Sequence, residues 1–246
     1  MAEFSSRISF VRLHYLIMID VYLINLTRRS DRLKVALSEL HKVNSNVLRI
    51  DAIDAQTYLG EEPVFISNAA LACSLSHEKA LREFLFSGEP YGVIAEDDLK
   101  VVSSKNFNKS KNLAIEHEID LLQIGFLVHG LSDLIDLLIV NFTNIILKIV
   151  NLFTRYLGFG VVSKLRFKRN LGMPLNLVPD NFRAGAHCYL ISRNLASELI
   201  EIIEVSNNTY DGLLMSISLH RKFKVARFLM SAVSQHKTES DIKTRG

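Results

Sequence analysis

Three consecutive acids, Glu96-Asp97-Asp98, follow the apolar run Tyr91-Gly-Val-Ile-Ala95. Adjacent carboxylates repel one another, so such a cluster stays ionised most easily when a cation sits on it. On an extended chain residues i and i+2 point the same way, which lets Glu96 and Asp98 share one Mg²⁺ or Mn²⁺. Mg²⁺ ordinarily takes one or two carboxylates plus substrate phosphates, and that suits a nucleoside diphosphate. A solvated acidic turn is the plainer reading of the same triplet. Ser76-His77 sets a hydroxyl beside an imidazole, but adjacent residues on a helix do not face each other. That disfavours hydrolytic catalysis and makes His77 a polar anchor next to the acids. Arg28, Arg29 and Arg32 follow an apolar run and can meet phosphate at a helix N-terminus, or simply form a solvated first turn. No Gly-x-Gly-x-x-Gly or P-loop pattern occurs, so dinucleotide and P-loop readings fail.

These residues need elements to hold them. Val21–Leu26 is a short apolar run that predicts a strand, Val47–Ile53 and Tyr91–Ala95 read as the second and third strands, and Leu121–Phe126 and Cys188–Ser192 are candidates for a fourth and fifth. Arg32–Lys42, Asn68–Phe86 and Asn194–Val205 predict helices, with Ser67 as an N-cap and Gly88 as a C-cap around the second. Strands alternating with helices predict an α/β domain with a largely parallel sheet flanked by helices. Ligands bind at the carboxyl edge of such sheets, where the triplet stands.

Composition narrows the class. The chain has 246 residues, 48% apolar and 22% charged, which excludes disordered, collagenous and coiled-coil readings. Eleven Gly and four Pro argue against an all-β sandwich. A net charge of +3 is too weak to imply nucleic acid, and none is expected as a partner. Two distant cysteines, Cys73 and Cys188, predict free thiols in a reducing cytoplasm.

Two segments stand apart. Residues 1–20 read as an N-terminal leader, too short and too interrupted by Arg12 and His14 to span a bilayer. From Leu131 to Leu157 apolar residues recur at three-and-four spacing, opposite Asp133, Asp136, Asn141, Asn144 and Lys148. The basic cluster Lys164, Arg166, Lys168 and Arg169 follows. Such a helix either packs its apolar face on the sheet or, with the basic cluster, lies on an anionic membrane surface.

The blocks of the chain resemble one family in order. Tyr22-Leu-Ile-Asn-Leu-Thr-Arg-Arg-Ser-Asp-Arg32, Ala52-Ile-Asp54, Ala72-Cys-Ser-Leu-Ser-His77 and Ile94-Ala-Glu-Asp-Asp98 come first. Gly185-Ala-His-Cys-Tyr189, Tyr210-Asp211, Gln235 and Ser240-Asp-Ile242 complete them. Together they resemble glycosyltransferase family 25, the lipooligosaccharide-biosynthesis galactosyltransferases. Ala55 and Ala72 stand where that family has glycines, and no carboxylate is lost. The resemblance implies a GT-A-like fold over residues 21–246, with the amphipathic and basic segment 131–170 inside it. It implies a UDP-sugar donor, most often UDP-galactose, and inverting transfer onto a lipooligosaccharide core saccharide. It makes Glu96 and Asp98 the ligands of Mn²⁺ or Mg²⁺, and Asn25, Arg28, Arg32, Asp54 and Asp97 the nucleotide pocket. An inverting transfer needs a base, for which Asp211 is the candidate, a helix N-cap being its plainer reading, with His77 its companion in the catalytic site. The expected setting is the cytoplasmic membrane of a bacterium, on its inner face, beside a lipid-linked acceptor. A glucose donor, a protein hydroxyl acceptor, and a silent membrane-surface binding module remain as alternatives.

Overall fold

The computed structural model describes residues 18–58, 66–128, 130–156, 173–179, 181–206, 208–219 and 222–236. The elements run β1 (Ile19–Asn25), α1 (Ser30–Leu40), β2 (Ser45–Asp51), α2 (Asn68–Ser87), β3 (Tyr91–Glu96), β4 (Leu99–Val101) and α3 (Ser104–His117). There follow β5 (Leu121–Gly125), α4 (Gly130–Tyr156), β6 (Leu177–Pro179), β7 (Cys188–Ser192), α5 (Arg193–Val205), α6 (Tyr210–Leu219), β8 (Val225–Phe228) and β9 (Val233–Gln235). The fold is α/β. One sheet has the order β2-β1-β3-β7-β5-β8-β6, with β4 and β9 paired beside it. In that order β2, β1, β3, β5 and β8 run one way, and β7 and β6 run against them.

The central strands are mostly apolar, with only the buried Gln123 interrupting β5, because both of their faces are covered. Tyr22, Ile24, Ile94, Tyr189 and Ile191 face a core closed by α2, α5 and α6. Their alternating neighbours Val21, Leu23, Val93, Ala95 and Leu190 face a second core with Ala36 of α1 and Phe107 of α3. Serine starts three of the helices: the side chains of Ser67, Ser103 and Ser192 accept from the backbone N–H three residues on. Gly88 ends α2 with φ 80°, a conformation that needs no Cβ.

Several boundaries differ from the pattern-based reading. β1 begins at Ile19, inside the expected leader, whose residues 1–17 lie outside the described ones. Four short strands and the helices α3 and α6 have no strong period to announce them. α3 buries only Phe107, Ser110, Lys111 and Ala114, a weak apolar signal. The sheet is also more mixed than a simple βαβ repeat, because β7 enters between β3 and β5 in the opposite sense.

The helix α4 turns its polar side inward. Leu137, Asn141, Asn144 and Lys148 form the stripe that meets the body, and three of the four are polar. Asn141 Nδ2 donates to Leu229 O at 2.9 Å, and its Oδ1 accepts from the buried Arg227 guanidinium at 2.9 Å. Asn144 donates to Leu177 O, and Lys148 Nζ donates to Pro174 O and Leu177 O, each at 2.6 Å. Burial depresses the Lys148 ammonium to about 8. The apolar face points to solvent, so it does not pack on the sheet. The basic cluster Lys164–Arg169 lies outside the described residues.

Candidate active site

β1, β2 and β3 are parallel, so their carboxyl ends open on one edge of the sheet. The register pairs Ile24 with Glu96 and Asn25 with Asp51, which aligns the three exits. Residues 26–32 leave β1, residues 52–56 leave β2, and the acidic triplet leaves β3. α2 closes the remaining side with Cys73, Ser76 and His77. Between them lies an open pocket of about 190 Å³. Arg28, Arg32, Asp54, His77, Glu96, Asp97 and Asp98 all line it.

Asp97 and Asp98 share the Arg32 guanidinium at 3.3 Å each. Asp97 Oδ2 also accepts from Asn25 Nδ2 at 2.7 Å. Asp98 Oδ2 accepts from Gln235 Nε2, while its buried Oδ1 has no hydrogen-bond partner. Burial, reinforced by the Glu96 charge, pushes the Asp98 carboxyl up to about 7. Burial also raises Asp97, against the Asn25 hydrogen bond and Arg32. Burial would raise Glu96 too, but the hydrogen bond and charge of His77, with His187 and Arg32, hold it below its ordinary value. Arg28 Nε donates to Asp54 Oδ2 at 2.6 Å and lowers that carboxyl.

His77 is held from both ends. Its Nε2 lies 3.1 Å from Glu96 Oε1 and its Nδ1 lies 3.1 Å from Tyr189 Oη. Tyr189 Oη meets Tyr210 Oη at 2.6 Å, and the Tyr210 ring stacks on the imidazole at 4.0 Å. This buried chain fixes the orientation of the carboxylate that faces the pocket. Ser76 is occupied elsewhere: its hydroxyl accepts from Ile53 N–H and donates to Ala72 O. It ties the β2 exit to α2.

Two expected site residues stand outside the pocket. Asn25 is 1% exposed and spends its amide on Asp97, Arg29 O and Arg49. It positions Asp97 from beneath. Asp211, in the first turn of α6, accepts Gly185 N–H at 3.0 Å and Ala186 N–H at 2.8 Å, one on each oxygen. Gly185 has φ 100°, and a Cβ there would sit 2.9 Å from the Leu127 side chain. Asp211 therefore clamps a turn that only glycine makes. Conversely, Gln235, Tyr189 and Tyr210 enter the site from distant strands and helices. The only sequence signal for them was their place in the ordered blocks.

Two donor sets for a cation share Glu96. Glu96 with Asp98 offers oxygen alone, the set that Mg²⁺ and Mn²⁺ take. Ligand atoms of Cys73, His77 and Glu96 lie within 4.8 Å of one another, a softer set. Burial and the nearby acids raise the Cys73 thiol well above its ordinary value, which opposes a thiolate there.

The family model of glycosyltransferase family 25, described as an LPS biosynthesis protein, matches residues 18–214. The chain belongs to glycosyltransferase family 25. No curated protein matches it. Among solved structures it is similar to "Crystal Structure of A197 from STIV", at 10% identity over 93% of this chain and 100% of that chain, with a TM-score of 0.37. Membership in family 25 makes the chain a glycosyltransferase, with a sugar donor and a saccharide acceptor. Among the described residues, no helix is long and apolar enough to cross a membrane.

Proposed function

We propose that this family 25 enzyme moves a hexose, galactose from UDP-galactose first among candidates, onto a lipooligosaccharide core saccharide with inversion. One observation supports the reading above others: Asp98, whose buried Oδ1 has no hydrogen-bond partner, lines a pocket together with Glu96 at the carboxyl edge of three parallel strands. A buried carboxylate oxygen without a donor is costly. A divalent cation answers that demand, so the residues fit Mn²⁺ or Mg²⁺ held by Glu96 and Asp98. When bound, such an ion neutralises diphosphate charge on the departing nucleotide.

The protein's own groups do the rest. Arg28 and Arg32 hold phosphate oxygens, since guanidinium matches phosphate as a planar fork. Asp54 and Asp97 keep these two arginines in place through the ion pairs already described. His77 orients Glu96. The acceptor hydroxyl must lose a proton to a base. Asp211 was the expected base, but two backbone N–H groups already occupy its oxygens. That geometry supports a positioning role for Asp211, holding the 185–186 turn. The setting we infer is peripheral, on the cytoplasmic membrane face where a lipid-linked acceptor is found.

The test is a donor screen. Purified protein should release UDP from UDP-galactose in the presence of Mn²⁺ and an oligosaccharide acceptor. Glu96→Gln with Asp98→Asn should abolish release while circular dichroism stays unchanged. Full activity of that variant, or of wild type in EDTA, would remove the cation from the reading. UDP release from UDP-glucose alone would move the donor to glucose.

A further inference from the structure

We propose that the outward face of α4 seats on the surface of an anionic lipid bilayer, with its axis along the membrane plane. The helix is fixed with this face outward. Its inner stripe satisfies two buried cations, Arg227 and Lys148, through Asn141 and backbone carbonyls. Turning the helix to bury its apolar face would take the Asn141 acceptor from the buried Arg227 and the donors Asn141, Asn144 and Lys148 from the carbonyls of Leu229, Leu177 and Pro174, which is costly. Nothing among the described residues covers the outer face. Leu138, Ile139, Phe142, Ile146, Ile149 and Val150 are 42–66% exposed. Between Leu138 and Val150 the exposed positions include a single polar residue, Thr143.

An apolar stripe of this length on one helix marks an interaction surface. Its chemistry selects the occupant. Protein interfaces carry roughly one hydrogen bond per 100–200 Å², and this face offers one hydroxyl. Hydrocarbon asks for none. Leu175 and Met230, next in sequence to backbone groups that α4 grips, are also exposed, at 58% and 63%. The stretch cannot span, because its other side is polar and latched to the body. Helices of this kind lie in the interface.

Charge agrees with an anionic surface. Sequence positions 157–172, which continue from the end of α4, contain Lys164, Arg166, Lys168 and Arg169 and no acid. The acids at the start of the helix, Asp133 and Asp136, are paired with Arg183. This inference adds to the reading of a lipid-linked acceptor the surface that brings the enzyme to it. Its test needs no transfer activity.

The chain contains no Trp, so Phe142→Trp installs a single fluorophore on the face. Full-length protein is mixed with vesicles of phosphatidylcholine, with or without phosphatidylglycerol. We expect wild type to float with the anionic vesicles, less so at high salt. We expect the Phe142→Trp emission to shift to the blue and to be quenched by brominated acyl chains. A Phe86→Trp reporter on α2 should not respond. Leu138→Asp with Ile149→Asp should keep its melting midpoint and its UDP release onto a soluble acceptor, and lose roughly tenfold or more of its vesicle affinity. If that variant does not fold, the Phe142→Trp emission decides alone. Absence of wild-type flotation with an unchanged Phe142→Trp spectrum overturns the proposal. So does a blue shift that needs no vesicles and grows with protein concentration, which assigns the face to a second copy of the chain.

Discussion

Asp98 holds its proton to a pH where an exposed aspartate has long lost it, and this makes a sharp prediction. Its folded value of about 7 lies above its unfolded value of 3.8. The metal-free native state therefore binds more protons than the unfolded chain between these values. Stability falls as pH rises through that window, and the loss is complete above 7. In EDTA, Asp98→Asn should melt above wild type at pH 8, by on the order of a few kcal/mol of stability. The gap should close toward pH 4. Mn²⁺ should raise the wild-type midpoint at pH 8 and leave the variant unmoved; equal effects on both would place the cation elsewhere, on Cys73 and His77. Asp211→Asn separates two roles in the same way. Loss of a base costs roughly 10²–10⁴-fold in turnover with the fold and donor affinity intact. Loss of a clamp lowers the midpoint and donor affinity together, because an amide sets its NH₂ against Gly185 or Ala186 N–H, and this is the outcome expected. The triplet and His77 were legible because their chemistry is local in sequence. The partners of Asn25 and Asp211 were not, since they lie 72 and 25–26 residues away and include bare backbone N–H groups that no side-chain pattern encodes.

At the scale of elements, periodicity gave α4 its length and its two faces but not its orientation. The usual rule turns the apolar face inward. Here Arg227, fully buried on β8 and 5.2 Å from the Phe126 ring, takes one of its acceptors, Asn141 Oδ1, from the polar stripe, while Asn141, Asn144 and Lys148 donate to carbonyls of the body. These buried polar partners outweigh the apolar stripe, and Arg227 sits 86 residues beyond Asn141 in the chain. The consequence inverts ordinary mutational sensitivity. Asn141→Ala should cost about 1–3 kcal/mol in urea unfolding, since it leaves Arg227 short of an acceptor. Leu138→Ala on the exposed face should stay within about 0.5 kcal/mol of wild type. The reverse ranking would mean that the apolar face is the buried one. The strands behaved differently: β1, β3 and β7 were legible because both faces are covered and the runs are continuously apolar. The short β4, β6, β8 and β9 were not, because three or four residues carry no period.

The whole molecule divides its tasks between the two ends of one sheet. The β2-β1-β3 end carries the pocket, and the β8-β6 end carries α4 through Arg227, Leu177 and Leu229. β7, antiparallel to both neighbours, joins the halves and delivers Tyr189 to the site. No α4 residue lines the pocket. Donor binding should therefore stabilise the molecule from one end only. A ligand at 100 times its Kd contributes about 2.7 kcal/mol, which for a chain of this size raises the midpoint by roughly 5–10 °C. UDP with Mn²⁺ should produce a shift of that order, and either alone should produce less. Hydrogen exchange locates the effect. The nucleotide should slow exchange at the exits of β1, β2 and β3, around residues 26–32, 52–56 and 96–98, and leave residues 131–150 as they were. Protection that extends into α4 would mean that the two ends are coupled, and that donor binding and the apolar face belong to one conformational unit. Protection confined to α4, with no change at the β3 exit, would place the nucleotide away from Glu96 and Asp98 altogether.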